Sequence, residues 1–385
     1  MIVVLIAVLS IPVGAARELG LSPGQLSAWI IAIYGVPALA SIVLVLKYRQ
    51  PLLMTGNLAI IILAASLGSE MAFTEIMGGA IVAGAVVAVL GTTRLVSGLA
   101  RWFPFPIVLG LLVGIVLPFV AGVFDHLAQE PLLVGVTIAA YLLSMRFGPA
   151  SIPPVLTAAV VGVLVAALTG RLGDAQVTAA FAMPELTVPE FSWRALVTVT
   201  PVAAVLMMLQ ANIPSIVYLR SEGYEPPERA MWAASGFGAL IGSCLAPTGV
   251  SFSVLAMPFT AGPSAGDRAR RHWTVYIVAA AALLTAVGGA AAAAAVGSIP
   301  LPLVLAIAGL AMIGVLTDSV REIVRGPLLL GPLVTLAVAI SDLSLLGLGA
   351  LFWALVIGTA TSVLVEGKGM KALRDAEGAP VQDTA

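Results

Sequence analysis

Two short stretches break an otherwise apolar chain. One is Leu52-Leu53-Met54-Thr55-Gly56-Asn57-Leu58-Ala59, the other Leu245-Ala246-Pro247-Thr248-Gly249-Val250-Ser251-Phe252-Ser253. Each puts a Thr-Gly pair where an apolar run would otherwise continue. Around them 60% of residues are hydrophobic and 10% charged, with mean hydropathy +1.11. A soluble domain needs a charged surface that this composition does not supply. The chain therefore reads as an all-α polytopic membrane protein.

Fourteen membrane segments are expected. Seven lie at about 1–16, 27–46, 51–68, 72–92, 104–123, 130–146 and 152–170. Seven more lie at about 193–219, 229–243, 245–261, 272–297, 299–317, 326–340 and 344–366. Landmarks recur between the halves. Ile11-Pro12, Pro23 and Trp29 are answered by Ile213-Pro214, Pro226 and Trp232; Thr55-Gly56 by Thr248-Gly249; Pro104-Phe105-Pro106 by Pro300-Leu301-Pro302; and Pro131-Leu132-Leu133 by Pro327-Leu328-Leu329. The offsets stay between 193 and 203 residues, which reads as an internal repeat.

An odd number of spans per half inverts the second half, the architecture of many secondary transporters. With the N-terminus inside, fifteen of the 18 Lys and Arg residues fall on the inner side, and only Arg17, Arg171 and Arg194 on the outer. That asymmetry supports two inverted seven-helix repeats with both termini cytoplasmic. The expected organisation is a first repeat over 1–170, a linker over 171–192, a second repeat over 193–366 and a disordered cytoplasmic tail over 367–385. Residues 93–103 read as an amphipathic helix in the inner interface. Ala290 to Ala295 permit close packing in the eleventh span. The first segment lacks the basic start of a signal peptide, and the repeat claims it as a true helix.

Enzyme chemistry finds little support. Cys244 is the single cysteine, His126 and His272 the only histidines, and no HExxH, Walker, GxSxG or dinucleotide fingerprint is present. No cofactor or metal is expected, and a net charge of −1 gives no reason to expect nucleic acid.

The breaks carry the functional expectation. Residues 50–55, extended at ~3.3 Å each, rise ~20 Å from the inner surface to about the bilayer centre. A helix capped by Asn57 or Thr55 and running to about Ser66 then covers up to ~18 Å. By the repeat, residues 244–248 descend from outside, and a half-helix from about 250 returns inward. Two helix N-termini aimed at one cavity make an anion site without Arg or Lys. Thr55, Gly56, Asn57, Thr248, Gly249, Ser251 and Ser253 would supply it. Gln210 and Asn212 of the eighth span join it, and Phe252 and Met208 offer apolar contact to a ring. The competing reading is that each hydroxyl bonds back to nearby backbone and each glycine serves packing. It explains any single residue well, and the pair of breaks less well. Glu75 is the proton-coupling candidate. Asp318-Arg321 and Glu322-Arg325 are spaced as surface ion pairs.

The stretch from Asn212-Ile213-Pro214-Ser215 through Leu219-Arg220 to Gly223-Tyr224 resembles the Asn-Leu-Pro-Gly…Leu-Arg…Gly-Tyr signature of the bacterial benzoate/proton symporter family. Leu245-Ala246-Pro247, Ala269-Arg270-Arg271, Leu305-Ala306-Ile307-Ala308-Gly309-Leu310-Ala311 and Phe352-Trp353-Ala354-Leu355 follow in that family's order. Tyr48-Arg49-Gln50-Pro51 is similar to its Tyr-Arg-x-Pro. The resemblance implies the fourteen-helix fold shared with uracil/xanthine and sulfate permeases. It also implies a core subdomain (1–92 and 193–297), a gate subdomain (93–170 and 298–366), and substrate held between the third and tenth half-helices. The chain departs from the pattern in places. Gly56-Asn57-Leu58-Ala59-Ile60 stands where the family has Trp-Ser-Thr-Pro-Gly, and Ala211-Asn212 where it has Gln-Asn. Ser251 or Ser253 lies near the place of an Asn in the tenth span. The fold inference survives these changes, and benzoate stays open as the substrate.

The expectation is a secondary active transporter of a small organic anion, such as an aromatic carboxylate, in the bacterial inner membrane. Its expected partners are that anion, a co-transported proton, membrane lipid and, in a homodimer, a second copy. An inorganic anion or nucleobase carrier on the same fold, or an anion channel, stands as the alternative.

Overall fold

The computed structural model of the protein describes residues 9–93, 104–149, 152–172, 183–253, 256–297, 299–346 and 348–378. The first half runs α1 (Ser10–Glu18), α2 (Pro23–Ile30), α3 (Val36–Tyr48), strand β1 (Met54–Gly56), α4 (Leu58–Leu67), α5 (Phe73–Thr92), α6 (Phe105–Gln129), α7 (Pro131–Phe147) and α8 (Pro154–Leu168). The second runs α9 (Trp193–Val205), α10 (Ile213–Ser221), α11 (Glu228–Ser243), strand β2 (Val250–Phe252), α12 (Met257–Thr260), α13 (His272–Gly297), α14 (Leu301–Arg325), α15 (Leu330–Ala339), α16 (Ala350–Val365) and α17 (Gly367–Gly378). Helical structure falls within every segment read from the sequence. Among the described residues, six helices are long and apolar enough to cross a membrane by themselves: Pro23–Tyr48, Phe73–Thr92, Phe105–Gln129, Trp193–Ser221, Arg268–Gly288 and Leu301–Arg325.

Two of these helices widen into a π-helical turn, at Ile31–Gly35 and at Leu206–Asn212. The cause is a proline four residues beyond a carbonyl in each turn. Pro37 has no N–H for Ile33, and Pro214 none for Gln210, and each ring crowds that carbonyl. Both turns pack against the β1–β2 pair.

Small residues bring other helices together. A side chain at Gly84 would lie 2.6 Å from the Leu240 backbone nitrogen, so α5 and α11 touch backbone to backbone. α6 packs on α14 and α15, and α15 on α16. Residues 183–192 run extended across the N-terminal ends of α2 and α5. There Glu185 N–H donates to the Gly24 carbonyl (3.1 Å) and Glu190 N–H to that of Thr74 (3.0 Å).

The structure corrects two expectations. The returning half-helix from about residue 250 is instead strand β2 followed by the four-residue α12. Ala261-Gly262-Pro263 stops that helix, since proline supplies no N–H to continue it. The tail is not disordered throughout: residues 367–378 form α17, turned 102° from α16. Met370 is buried, and one apolar stripe on an otherwise polar helix is enough to dock it. The interfacial helix expected at 93–103 falls, past residue 93, outside the described residues, as do residues 1–8, 173–182 and 379–385. Asp318 and Arg321 form an exposed pair at 3.6 Å.

Glu366 fixes the turn into α17. Its carboxylate accepts the backbone N–H groups of Leu329 (2.7 Å), Leu330 (2.7 Å) and Gly331 (2.9 Å) at the start of α15, and the Ser362 hydroxyl (2.8 Å). Glu366→Gln, which leaves one acceptor oxygen for four donors, is expected to cost about 1–2 kcal/mol. Amide exchange over residues 367–378 at one fixed pH checks it, speeding up in the variant.

Candidate functional site

The two broken spans meet as a two-stranded antiparallel sheet. Met54 faces Phe252, Thr55 faces Ser251 and Gly56 faces Val250. The ladder extends at both ends, from Asn57 N–H to the Gly249 carbonyl (2.7 Å) and from Ser253 N–H to that of Leu53 (3.2 Å). An extended segment deep in such a fold must satisfy its backbone within the protein, and each break does so with the other.

The register sorts the side chains. By the two-residue alternation of strands, Thr55, Asn57, Gly249, Ser251 and Ser253 share one face, and Met54, Gly56, Val250 and Phe252 the other. One face is polar or bare, the other apolar apart from Gly56. Asn57 Nδ2 donates to Ser251 Oγ at 3.1 Å across the polar face. On the other face Gly56 lies against the π turn, where a side chain would come within 2.8 Å of the Ile33 carbonyl. Phe252 is 1% exposed, and its ring belongs to the core, not to the polar face. Met208 is likewise fully buried.

Asn57 also caps α4, with its Oδ1 accepting Ala59 N–H at 3.1 Å. The ten-residue α4 thus points its positive end at the polar face. On the far side Asn212 holds β2, its Oδ1 accepting Phe252 N–H (3.0 Å) and its Nδ2 donating to Ser235 Oγ (2.8 Å). Ser235 passes its own proton to the Val250 carbonyl at 2.5 Å. Ser243 donates to the Thr248 carbonyl (2.6 Å), Trp29 Nε1 to that of Pro247 (2.9 Å), and Ser41 accepts Met54 N–H (2.8 Å).

The expected residues thus divide. Asn57, Asn212, Thr248 and Ser251 are buried, and the side chain of each is hydrogen-bonded within the protein. Gly249 is packed against Ile60 and Met207. Thr55, Gln210 and Ser253 are half-buried, and their side chains have no hydrogen-bond partner among the described residues. These three are the polar groups left for a ligand, with Gln210 placed by the π turn next to Asn212. Glu75 does not join them. It sits in the first turn of α5, where its Oε2 accepts Ala72 N–H at 3.1 Å. Among the described residues no cluster of His, Cys, Asp or Glu suited to a metal is present.

Sequence reasoning missed Ser235, Ser41, Ser243 and Trp29. The run Ser235-Gly236-Phe237-Gly238 was a usable signal for the first. A serine among glycines in a membrane helix marks a close backbone approach that needs a donor.

A family model described as "Benzoate membrane transport protein" matches residues 1–364. The benzoate membrane transport protein of Acinetobacter baylyi (strain ATCC 33305 / BD413 / ADP1) is 24% identical over 346 residues, covering 89% of this chain and 87% of that protein. The inner membrane protein YdcO of Escherichia coli (strain K12) is 24% identical over 353 residues, covering 91% of this chain and 90% of that protein. Among solved structures, the transmembrane domain of a cyanobacterium bicarbonate transporter, BicA, matches with a TM-score of 0.54 at 19% identity. It covers 94% of this chain and 95% of that one, a likeness of fold.

Proposed function

The chain belongs to the benzoate membrane transport protein family, and from that premise we propose that this membrane transporter is a secondary active carrier of a small organic anion, such as benzoate. The observation that carries the reading is the antiparallel pairing of β1 with β2, which puts a polar face at the positive end of α4. The ligand's carboxylate would lie on the α4 N-terminus and the Thr55 and Ser253 hydroxyls, with Gln210 beside it. Fourteen spans in two inverted repeats account for two breaks that pair in opposite directions. Residues 1–92 and 193–297 would move as a core against a gate of 93–170 and 298–366, exposing the site to each side in turn. Both termini would be cytoplasmic, in a bacterial inner membrane.

Proton symport is what the resemblance of the Asn212 to Tyr224 stretch to benzoate/proton symporters implies; the polar face itself offers no carboxylate. Glu75, tied to the start of α5, carries no proton in this reading. Glu75→Gln is expected to leave the pH dependence of uptake unchanged, measured in proteoliposomes over pH 5–8.

The central test is uptake of radiolabelled benzoate. Thr55→Val with Ser253→Ala is expected to raise the KM at least about ten-fold, since two hydroxyl contacts to a charged group are removed. Unchanged KM in the double variant would sink the site. A second reading, a carrier of small inorganic oxyanions, is favoured by one observation: Phe252 is turned away from the polar face. Bicarbonate or sulfate competing with benzoate, or replacing it, would decide for that reading.

A further inference from the structure

The inner ends of the second-half helices hold a polar cluster that the substrate site does not use. It joins two stretches far apart in the chain, Glu222-Gly223-Tyr224 after α10 and Asp267 to Arg271 before α13. Arg271 is the one buried charged side chain among the described residues. Its Nη1 donates to the Ala261 carbonyl (2.6 Å) and to Glu222 Oε2 (3.0 Å), and its Nε to the Gly266 carbonyl (2.9 Å). Glu222 also accepts from the Tyr218 hydroxyl. Alongside, Arg268 donates to the Gly223 carbonyl and lies over the Tyr224 ring, 4.9 Å from its centre. The Tyr224 hydroxyl donates to the Arg268 carbonyl at 3.3 Å.

Ala261 is the residue on which α12 ends. The helix is four residues long, too short to hold itself. Its place depends on what grips it. Asn212, entering α10, holds Phe252 N–H, and Glu222, leaving α10, holds Ala261 through Arg271. The Thr274 hydroxyl adds a contact to the Thr260 carbonyl at 3.2 Å. The β2–α12 segment is thus fastened to one helix at two points, one near the site and one at the inner surface.

We propose that Arg271 is a positioning residue for transport: a brace that fixes β2 and α12 against α10 and stays closed throughout the cycle, keeping Ser253 in place on the polar face. Removing it strips donors from two carbonyls and a carboxylate at once, and a guanidinium is needed because only a fork reaches all three. The proposal rests on the substrate reading above, so its test has an arm that needs no substrate.

The test uses the full chain in a Cys244→Ser background in proteoliposomes. Arg271→Ala is expected to raise the KM for benzoate about ten-fold while the maximal rate per folded carrier holds, the pattern of weakened binding and not of lost turnover. Arg271→Lys, which keeps a charge for Glu222, recovers part of the loss, and carries the comparison should the alanine variant not fold. Without any substrate, a cysteine placed by Ser253→Cys is expected to react with a small maleimide several-fold faster when combined with Arg271→Ala, and at an intermediate rate with Arg271→Lys. Joining Glu222→Cys to Arg271→Cys with a short bis-maleimide is expected to bring KM back toward the parent. Unchanged labelling of Ser253→Cys with unchanged KM overturns the brace. A cross-link that stops uptake overturns it too, since the cluster would then be a gate that opens. If the parent takes up no benzoate, the substrate reading fails and the labelling rates still decide the brace.

Discussion

Asn212→Leu is expected to abolish uptake and to lower stability by about 2–5 kcal/mol, because one side chain serves two buried partners. Asn212 is 1% exposed. Its carbonyl oxygen takes the Phe252 N–H and its amide feeds Ser235, which in turn feeds the Val250 carbonyl. A leucine of similar size fills the space but leaves a backbone donor and a serine oxygen without partners. Each such orphan costs about 1–3 kcal/mol when water cannot reach it. The strand would answer by shifting, and with it the register that sets Thr55 opposite Ser251. Thermal melting in detergent reads the stability term, and benzoate uptake per folded carrier the functional one. Asn212→Gln keeps both amide groups with one extra methylene and is expected to fall between parent and leucine variant. Equal uptake in all three would mean that β2 does not depend on this network.

Gly236→Val separates two helices and is expected to cost about 3 kcal/mol or more, beyond ordinary overpacking, because its neighbours are backbone. A side chain at Gly236 would run into the Ala88 main chain and lie 2.6 Å from the Ala88 Cβ. From the other side, one at Gly84 would lie 3.0 Å from the Gly236 carbonyl. No rotamer relieves a clash with a helix backbone, so α5 and α11 must part. Ser235 moves with α11, and transport is lost with the stability. Gly122→Ala is the matched control. That glycine is also in a membrane helix, but nothing lies within 4 Å of where its Cβ would be. It is expected to melt within about 0.5 kcal/mol of the parent.

Much of the fold could be read from the chain because it follows from local rules. Apolar runs mark the helices, Asn57 marks the start of α4, and Thr-Gly marks both breaks. The second break is legible only in part. The repeat predicts a half-helix from about residue 250, and the chain instead runs as a strand through Phe252 before a single turn. Val250-Ser251-Phe252-Ser253 does alternate apolar and polar, the period of a strand, but four residues are few to weigh against a repeat. The tail was read from its polarity, and Met370 with Glu366 shows how little apolar surface is needed once a carboxylate caps a neighbouring helix.

By itself, then, the sequence determined that this is a helical membrane protein and where its two helices break, because composition and spacing act through neighbours a few residues away. Only the tertiary structure decided what the breaks become. Asn57 and Ser251 are 194 residues apart and bond through a strand pairing that no local pattern encodes. That pairing leaves Thr55 and Ser253 half-buried on the polar face, sends Phe252 into the core, and uses Asn57, Asn212 and Ser251 to hold the two strands. A hydroxyl or an amide has the same sequence signature whether it meets a ligand or a backbone carbonyl. Which of the two it meets is fixed by the packing of distant helices, since a buried polar group takes whatever partner the fold brings within 3 Å.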